Sequence, residues 1–72
     1  MKIRKFPELV KVKGRIREKG LSYRELSRIM GIGVNTLNDK LNGYSSIYLD
    51  EAVTICEKLD ISLSEIPIFF AL

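Results

Sequence analysis

Asn35, Thr36, Asn38, Asp39 and Asn42 crowd into one short stretch whose single cation is Lys40. Side chains of these types donate and accept hydrogen bonds, which is what reading the edges of base pairs requires. An amide bonds bidentately to adenine, a carboxylate accepts from the cytosine amino group, and a threonine methyl meets the methyl of thymine. The same residues also make an ordinary solvated helix face, so the elements around them decide between the two readings.

At about 100° per residue, Asn35, Thr36, Asp39 and Asn42 fall opposite Leu37 and Leu41, with Val34 and Asn38 flanking that seam. The spacing predicts a helix from Val34 to about Asn42, stopped by Asn42-Gly43. Upstream, Ser22 and Glu25 have capping-box spacing, and Leu26, Ile29 and Met30 form an apolar stripe that leaves Arg24, Ser27 and Arg28 on other faces. Gly31-Ile32-Gly33 then makes a corner, with Gly31 closing one helix, Ile32 turned inward and Gly33 capping the next. Residues 22–43 therefore read as a helix-turn-helix, a unit that presents its second helix to a major groove.

The rest of the chain has to carry that unit. Seventy-two residues make one domain with a small core, and 46% hydrophobic with 29% charged residues is a globular composition. The longest apolar run, Ile66 to Leu72, is too short to span a bilayer, and Pro7 and Glu8 interrupt any leader, so a cytoplasmic protein with no membrane partner is expected. The lone Cys56 reads as a small core residue. Without histidine, neither the usual metal ligands nor the commonest general base is at hand, so no enzyme, metal or cofactor is expected. Charge is uneven. Residues 1–43 carry eleven Lys and Arg against four acids (+7), and residues 44–72 carry Lys58 against five acids (−4), which together give the net +3. A basic half around the helix-turn-helix is the footprint of a phosphate-binding face.

In chain order, residues 1–6 form a basic arm with Lys2, Arg4 and Lys5, suited to a phosphate backbone or a neighbouring groove, or else idle. Pro7 and Glu8 suit the first turn of a helix that runs to about Lys19 and buries Leu9, Val12 and Ile16. Gly14 inside it implies close packing, and Gly20 ends it with Leu21 folded back. After Gly43, Tyr44 and Tyr48 are expected to pack over a core edge. Ser46 is expected to cap a fourth helix, from about Leu49 to Leu59, that buries Leu49, Ala52, Val53, Cys56 and Leu59. A last helix holds Pro67 in its first turn, with Ser62 and Ser64 competing as its cap. Its Ile66, Ile68, Phe69, Phe70 and Leu72 are more apolar residues than one side can bury, leaving core filling, a homodimer face or a protein-partner face open.

Taken together, REKGLS, ELSRIMGI, TLNDKLNG and the closing EIPIFF resemble the Cro/CI-type regulators of temperate phages, from about residue 9 to 72. The chain is also similar to the modulator-of-repression proteins, antirepressors encoded opposite a CI repressor in some phages. The resemblance implies an all-α, five-helix lambda-repressor-like fold and double-stranded operator DNA as partner. It implies base contacts at Val34, Asn35, Thr36, Asn38 and Asp39, and backbone contacts at Tyr23, Arg24, Lys40 and Asn42. An antirepressor would instead dock on a CI-type repressor's DNA-binding domain. The acidic second half, the cation-poor reading helix and the apolar tail point that way, and a weak homodimer is a third arrangement.

Overall fold

The computed structural model describes residues 3–70. Among them lie five α-helices and a 3-10 turn: α1 (Val10–Glu18), α2 (Tyr23–Met30), α3 (Val34–Leu41), α4 (Leu49–Leu59), the turn Leu63–Glu65, and α5 (Ile66–Phe69). No strand occurs among the described residues, and no helix of theirs is long and apolar enough to cross a membrane. Met1, Lys2, Ala71 and Leu72, which carry part of the expected arm and tail, lie outside them.

Local chemistry explains most of the boundaries. Ser22 Oγ accepts the Glu25 N–H at 3.0 Å while Glu25 Oε1 accepts the Ser22 N–H at 3.2 Å, so α2 begins on a complete capping box. Gly20, Gly31 and Gly43 all take positive φ and follow α1, α2 and α3. After α2, Gly31 donates to Arg28 O and Ile32 to Ser27 O. That double bond closes the last turn and folds Ile32 against the core. Asp60 ends α4 in the same left-handed conformation, φ 55°, without being glycine. Its carboxylate lies 2.5 Å from Lys19 Nζ, and its carbonyl takes a bond from Arg15. The hydrogen bond and charge of Lys19 hold the Asp60 carboxyl below the ordinary carboxylate range. Ser62, not Ser64, caps the 3-10 turn together with Glu65, and Pro67 sits in the first turn of α5.

The core joins Leu9, Val12 and Ile16 to Leu26, Leu37 and Leu41, and closes over them with Ala52, Ile55, Cys56, Leu59, Ile61 and Phe70. Within it, α2 packs on α3 and α4, while α1 packs on α3 and α5. Burial pushes the Cys56 thiol up from its ordinary value, with Glu65 adding to the shift. On α4 the buried face is Ala52, Ile55, Cys56 and Leu59, rotated from the expected stripe so that Ile55 replaces Leu49, which is 70% exposed. Leu49 is the first residue of α4 and lies at its open N-terminal end, whereas Ile55 sits mid-helix between Ala52 and Leu59 and is covered by the core. Similarly, Ser27 rather than Ile29 completes the buried side of α2, its hydroxyl satisfied by the Arg24 carbonyl at 2.9 Å.

The first helix starts three residues later than expected because the donors before it are used elsewhere. Lys5 and Phe6 give their N–H groups to Gly43 O at 2.9 and 3.0 Å, and Leu9 gives its N–H to Leu41 O at 2.9 Å. Arg4 Nε adds a bond to Asn42 O at 2.6 Å, and its guanidinium stacks over the Tyr44 ring. The described part of the arm is therefore fastened to the end of α3. Glu8 pairs with Lys13 and Arg4 instead of serving a first turn, and the Lys13 bond lowers its carboxyl below the usual range. Gly43 makes this approach feasible, since at φ +84° any Cβ would run into the Phe6 carbonyl oxygen. Gly14 has no such reason, for a Cβ there meets nothing within 4 Å.

Two glycine substitutions should consequently act in opposite directions in thermal unfolding. Gly14→Ala should stabilise by about 0.5–1 kcal/mol, the ordinary helix-interior difference. Gly43→Ala should cost about 2 kcal/mol or more, combining left-handed strain with the collision. For a domain of this size these correspond to roughly 4–8 °C per kcal/mol.

Candidate nucleic-acid interface

The turn between α2 and α3 sets the geometry of the interface. Gly33 caps α3 with extended backbone, and Leu37 N–H bonds Gly33 O at 3.0 Å as the first helical turn closes. Leu37 and Leu41 are fully buried, which turns Asn35, Thr36 and Asn38 outward, with Val34 and Asp39 half-buried at the edges. Among the described residues, the side chains of Asn35 and Thr36 hold no intramolecular hydrogen bond. They keep their full donor and acceptor capacity for a ligand.

Three expected residues are placed differently from Asn35 and Thr36. Lys40, expected on a DNA backbone, is buried beneath the loop after α3. Its Nζ donates to Ser46 O and to Glu51 Oε1, both at 3.0 Å, and lies 4.3 Å from the centre of the Tyr48 ring. Glu51 also accepts the Tyr48 N–H at 2.9 Å, so Tyr48 rather than Ser46 caps α4, and its exposed ring lies over the ammonium instead of over the apolar core. Lys40 turns inward because its position follows the buried side of α3, and its long stem reaches the one acidic partner there. Asn42 is committed inside the protein. Its Oδ1 accepts from Lys13 Nζ, and its Nδ2 donates to Asn38 O and Asn38 Oδ1 at 2.8 and 3.1 Å. Phe70, expected at a partner face, is in the core. In the same segment Phe69 and Ile66 are half-buried, Phe69 lies under the Arg15 guanidinium at 5.2 Å, and Ile68 is exposed.

The remaining cations divide into two groups. Arg4, Lys13, Arg15, Lys19 and Lys40 are held in ion pairs. Among the described residues Lys5, Lys11, Arg17, Arg24 and Arg28, and Lys58 on α4, are exposed and form none. Between the end of α1 and the start of α2 lies a cleft of about 270 Å³, lined by Lys13, Ile16, Arg17, Leu21, Ser22 and Tyr23. It combines the positive end of α2 with the unpaired Arg17, an arrangement suited to a phosphate oxygen, while Lys13 on its wall is committed to Glu8 and Asn42. Sequence reasoning placed Tyr23 and Arg24 near this spot but missed Arg17 and Lys13, which reach it from α1. Only the four-residue spacing of Asn38 and Asn42 signalled that those two amides would pair on one helix.

With this geometry in view, the sequence profile of the Cro/C1-type helix-turn-helix DNA-binding domain matches residues 11–71, nearly the whole chain. No curated protein matches the chain at a significant level of similarity.

Breaking the Lys40–Glu51 pair should be costly, because the two side chains are only 7% and 12% exposed. Lys40→Ala should lower unfolding free energy by about 3–5 kcal/mol in urea titration, whereas the double change Lys40→Met with Glu51→Met should recover most of that loss.

Proposed function

The chain belongs to the Cro/C1-type helix-turn-helix DNA-binding family, and from that premise we propose that it is a phage-type transcriptional regulator that binds operator DNA in a lysis–lysogeny switch. α3 enters the major groove, where Val34, Asn35, Thr36, Asn38 and Asp39 meet base edges. The observation that carries this reading is the pair Asn35 and Thr36, exposed and internally unbonded on a helix whose opposite side is wholly buried. Tyr23 and Arg24, at the start of α2, contact the phosphate backbone, with Arg17 beside them across the cleft. Lys40 serves the interior and makes no such contact.

A second reading has its own support. Tyr48 and Leu49 stand exposed beside Asp50 at the start of α4, and Ile68 is exposed on α5. An apolar patch with acidic neighbours fits a basic protein such as the DNA-binding domain of a CI-type repressor, the docking expected of an antirepressor. Co-purification with that repressor at micromolar concentration tests it. Failure to associate, with operator DNA or without, removes it.

Fluorescence anisotropy with duplex DNA tests the first reading. Neutralisation of about three to five phosphates by the unpaired cations should give a slope of about −3 to −4.5 for log affinity against log salt. Arg24→Ala should reduce that slope by about one unit while leaving sequence preference intact. Absence of binding to any duplex at low salt sinks the regulator reading.

A further inference from the structure

We infer that Asn38 reads a hydrogen-bond acceptor on a base, with its amide held in one orientation by a relay that starts at Lys13 and passes through Asn42. The inference rests on the reading of α3 as the base-contacting helix.

An exposed amide ordinarily presents either end, because its oxygen and nitrogen exchange places by rotation about one bond. Here a chain of obligatory donors removes the choice. The Lys13 ammonium can only donate. It donates to Glu8 at 2.8 Å and to Asn42 Oδ1, which points the Asn42 oxygen at α1. Asn42 Nδ2 must then be the end facing Asn38, where it donates to the backbone oxygen and to Oδ1. Asn38 consequently turns its oxygen toward Asn42 and keeps its NH₂ group for whatever approaches α3. Reversing Asn42 would set its NH₂ against an ammonium, and reversing Asn38 would set NH₂ against NH₂.

The consequence for base reading is asymmetric. A bidentate grip on adenine needs the amide oxygen and NH₂ together, the oxygen for the adenine amino group and the NH₂ for N7. Asn35 can turn both ends to a base, whereas the Asn38 oxygen is held toward Asn42 by the bond it accepts and its NH₂ is the end turned outward. The NH₂ of Asn38 fits guanine, which offers N7 and O6, and next thymine, which offers O4. It has no partner on cytosine, whose major-groove edge is a donor.

Selection of duplexes from a random-sequence library by the full chain tests this. Asn38→Ala identifies the base position that Asn38 reads by abolishing preference there. At that position the unaltered protein should favour guanine, then thymine, about fivefold or more over cytosine, the scale of one hydrogen bond. Asn42→Ala releases the amide, and the same position should gain adenine while the others stay unchanged. Lys13→Met should do the same with Asn42 still in place. Circular dichroism and the unchanged positions show that both variants are folded. A preference for cytosine or adenine in the unaltered protein overturns the inference. So does a profile that neither variant alters, or an Asn38→Ala profile with no lost position, while in each case the regulator reading stands. If the unaltered protein enriches no duplex, that reading fails and this inference fails with it.

Discussion

The carbonyl groups at the C-terminal end of α3 have no partners within their own helix, and the protein is arranged around satisfying them. Leu41, Asn42 and Gly43 receive donors from Leu9, Arg4, Lys5 and Phe6. One loop end thereby anchors the described N-terminal segment, delays the start of α1 and stations Lys13 beside Asn42. Glycine at position 43 is the condition for all of it, because only a residue without a Cβ lets the two backbones come this close.

A chain this small has little apolar surface to bury, so its polar groups carry part of the positioning. Lys40 and Glu51 tie α3, its following loop and the cap of α4 into one buried cluster. Arg15 and Lys19 reach from α1 to the end of α4 through Leu59 and Asp60. At the surface an ion pair contributes little, but these span elements that meet nowhere else in sequence, and they define angles as much as they add stability. The basic first half thus does two jobs: one set of cations is spent inside the fold, and the other remains available to phosphates.

This division alters the meaning of the cation-poor reading helix. Lys40 is the one lysine of α3, and its charge is balanced internally, so the outward side of α3 offers amides and the Thr36 hydroxyl and no cation. The unpaired cations Lys11, Arg17, Arg24 and Arg28 lie on α1 and α2 instead, so in the proposed complex attraction to phosphates falls to them and discrimination to the polar groups of α3. Preorganised polar groups lose less entropy on binding than long flexible cations do.

Much of the architecture was legible in the amino-acid order because its causes are local. Capping at Ser22, left-handed stops at Gly20, Gly31 and Gly43, and the seam of Leu37 and Leu41 each need only a few neighbouring residues to specify them, and each stands where the pattern puts it. Periodicity also identified Asn35 and Thr36 as outward on α3, but it set the exposed Asn38 beside the seam and the half-buried Asp39 and Asn42 opposite it. What it could not supply were the long-range partners. Nothing adjacent to Lys40 in sequence announces Glu51, nothing near Asn42 announces Lys13, and nothing near Gly43 announces Phe6. Those pairings arise only when segments eleven or more residues apart close on one another, because a hydrogen bond depends on direction and distance in space while helical propensity depends on neighbours in the chain. The order of residues therefore determined which helices form and which face each one hides. Tertiary packing alone decided which cations are consumed, where the arm is fastened and which way the amides of α3 point.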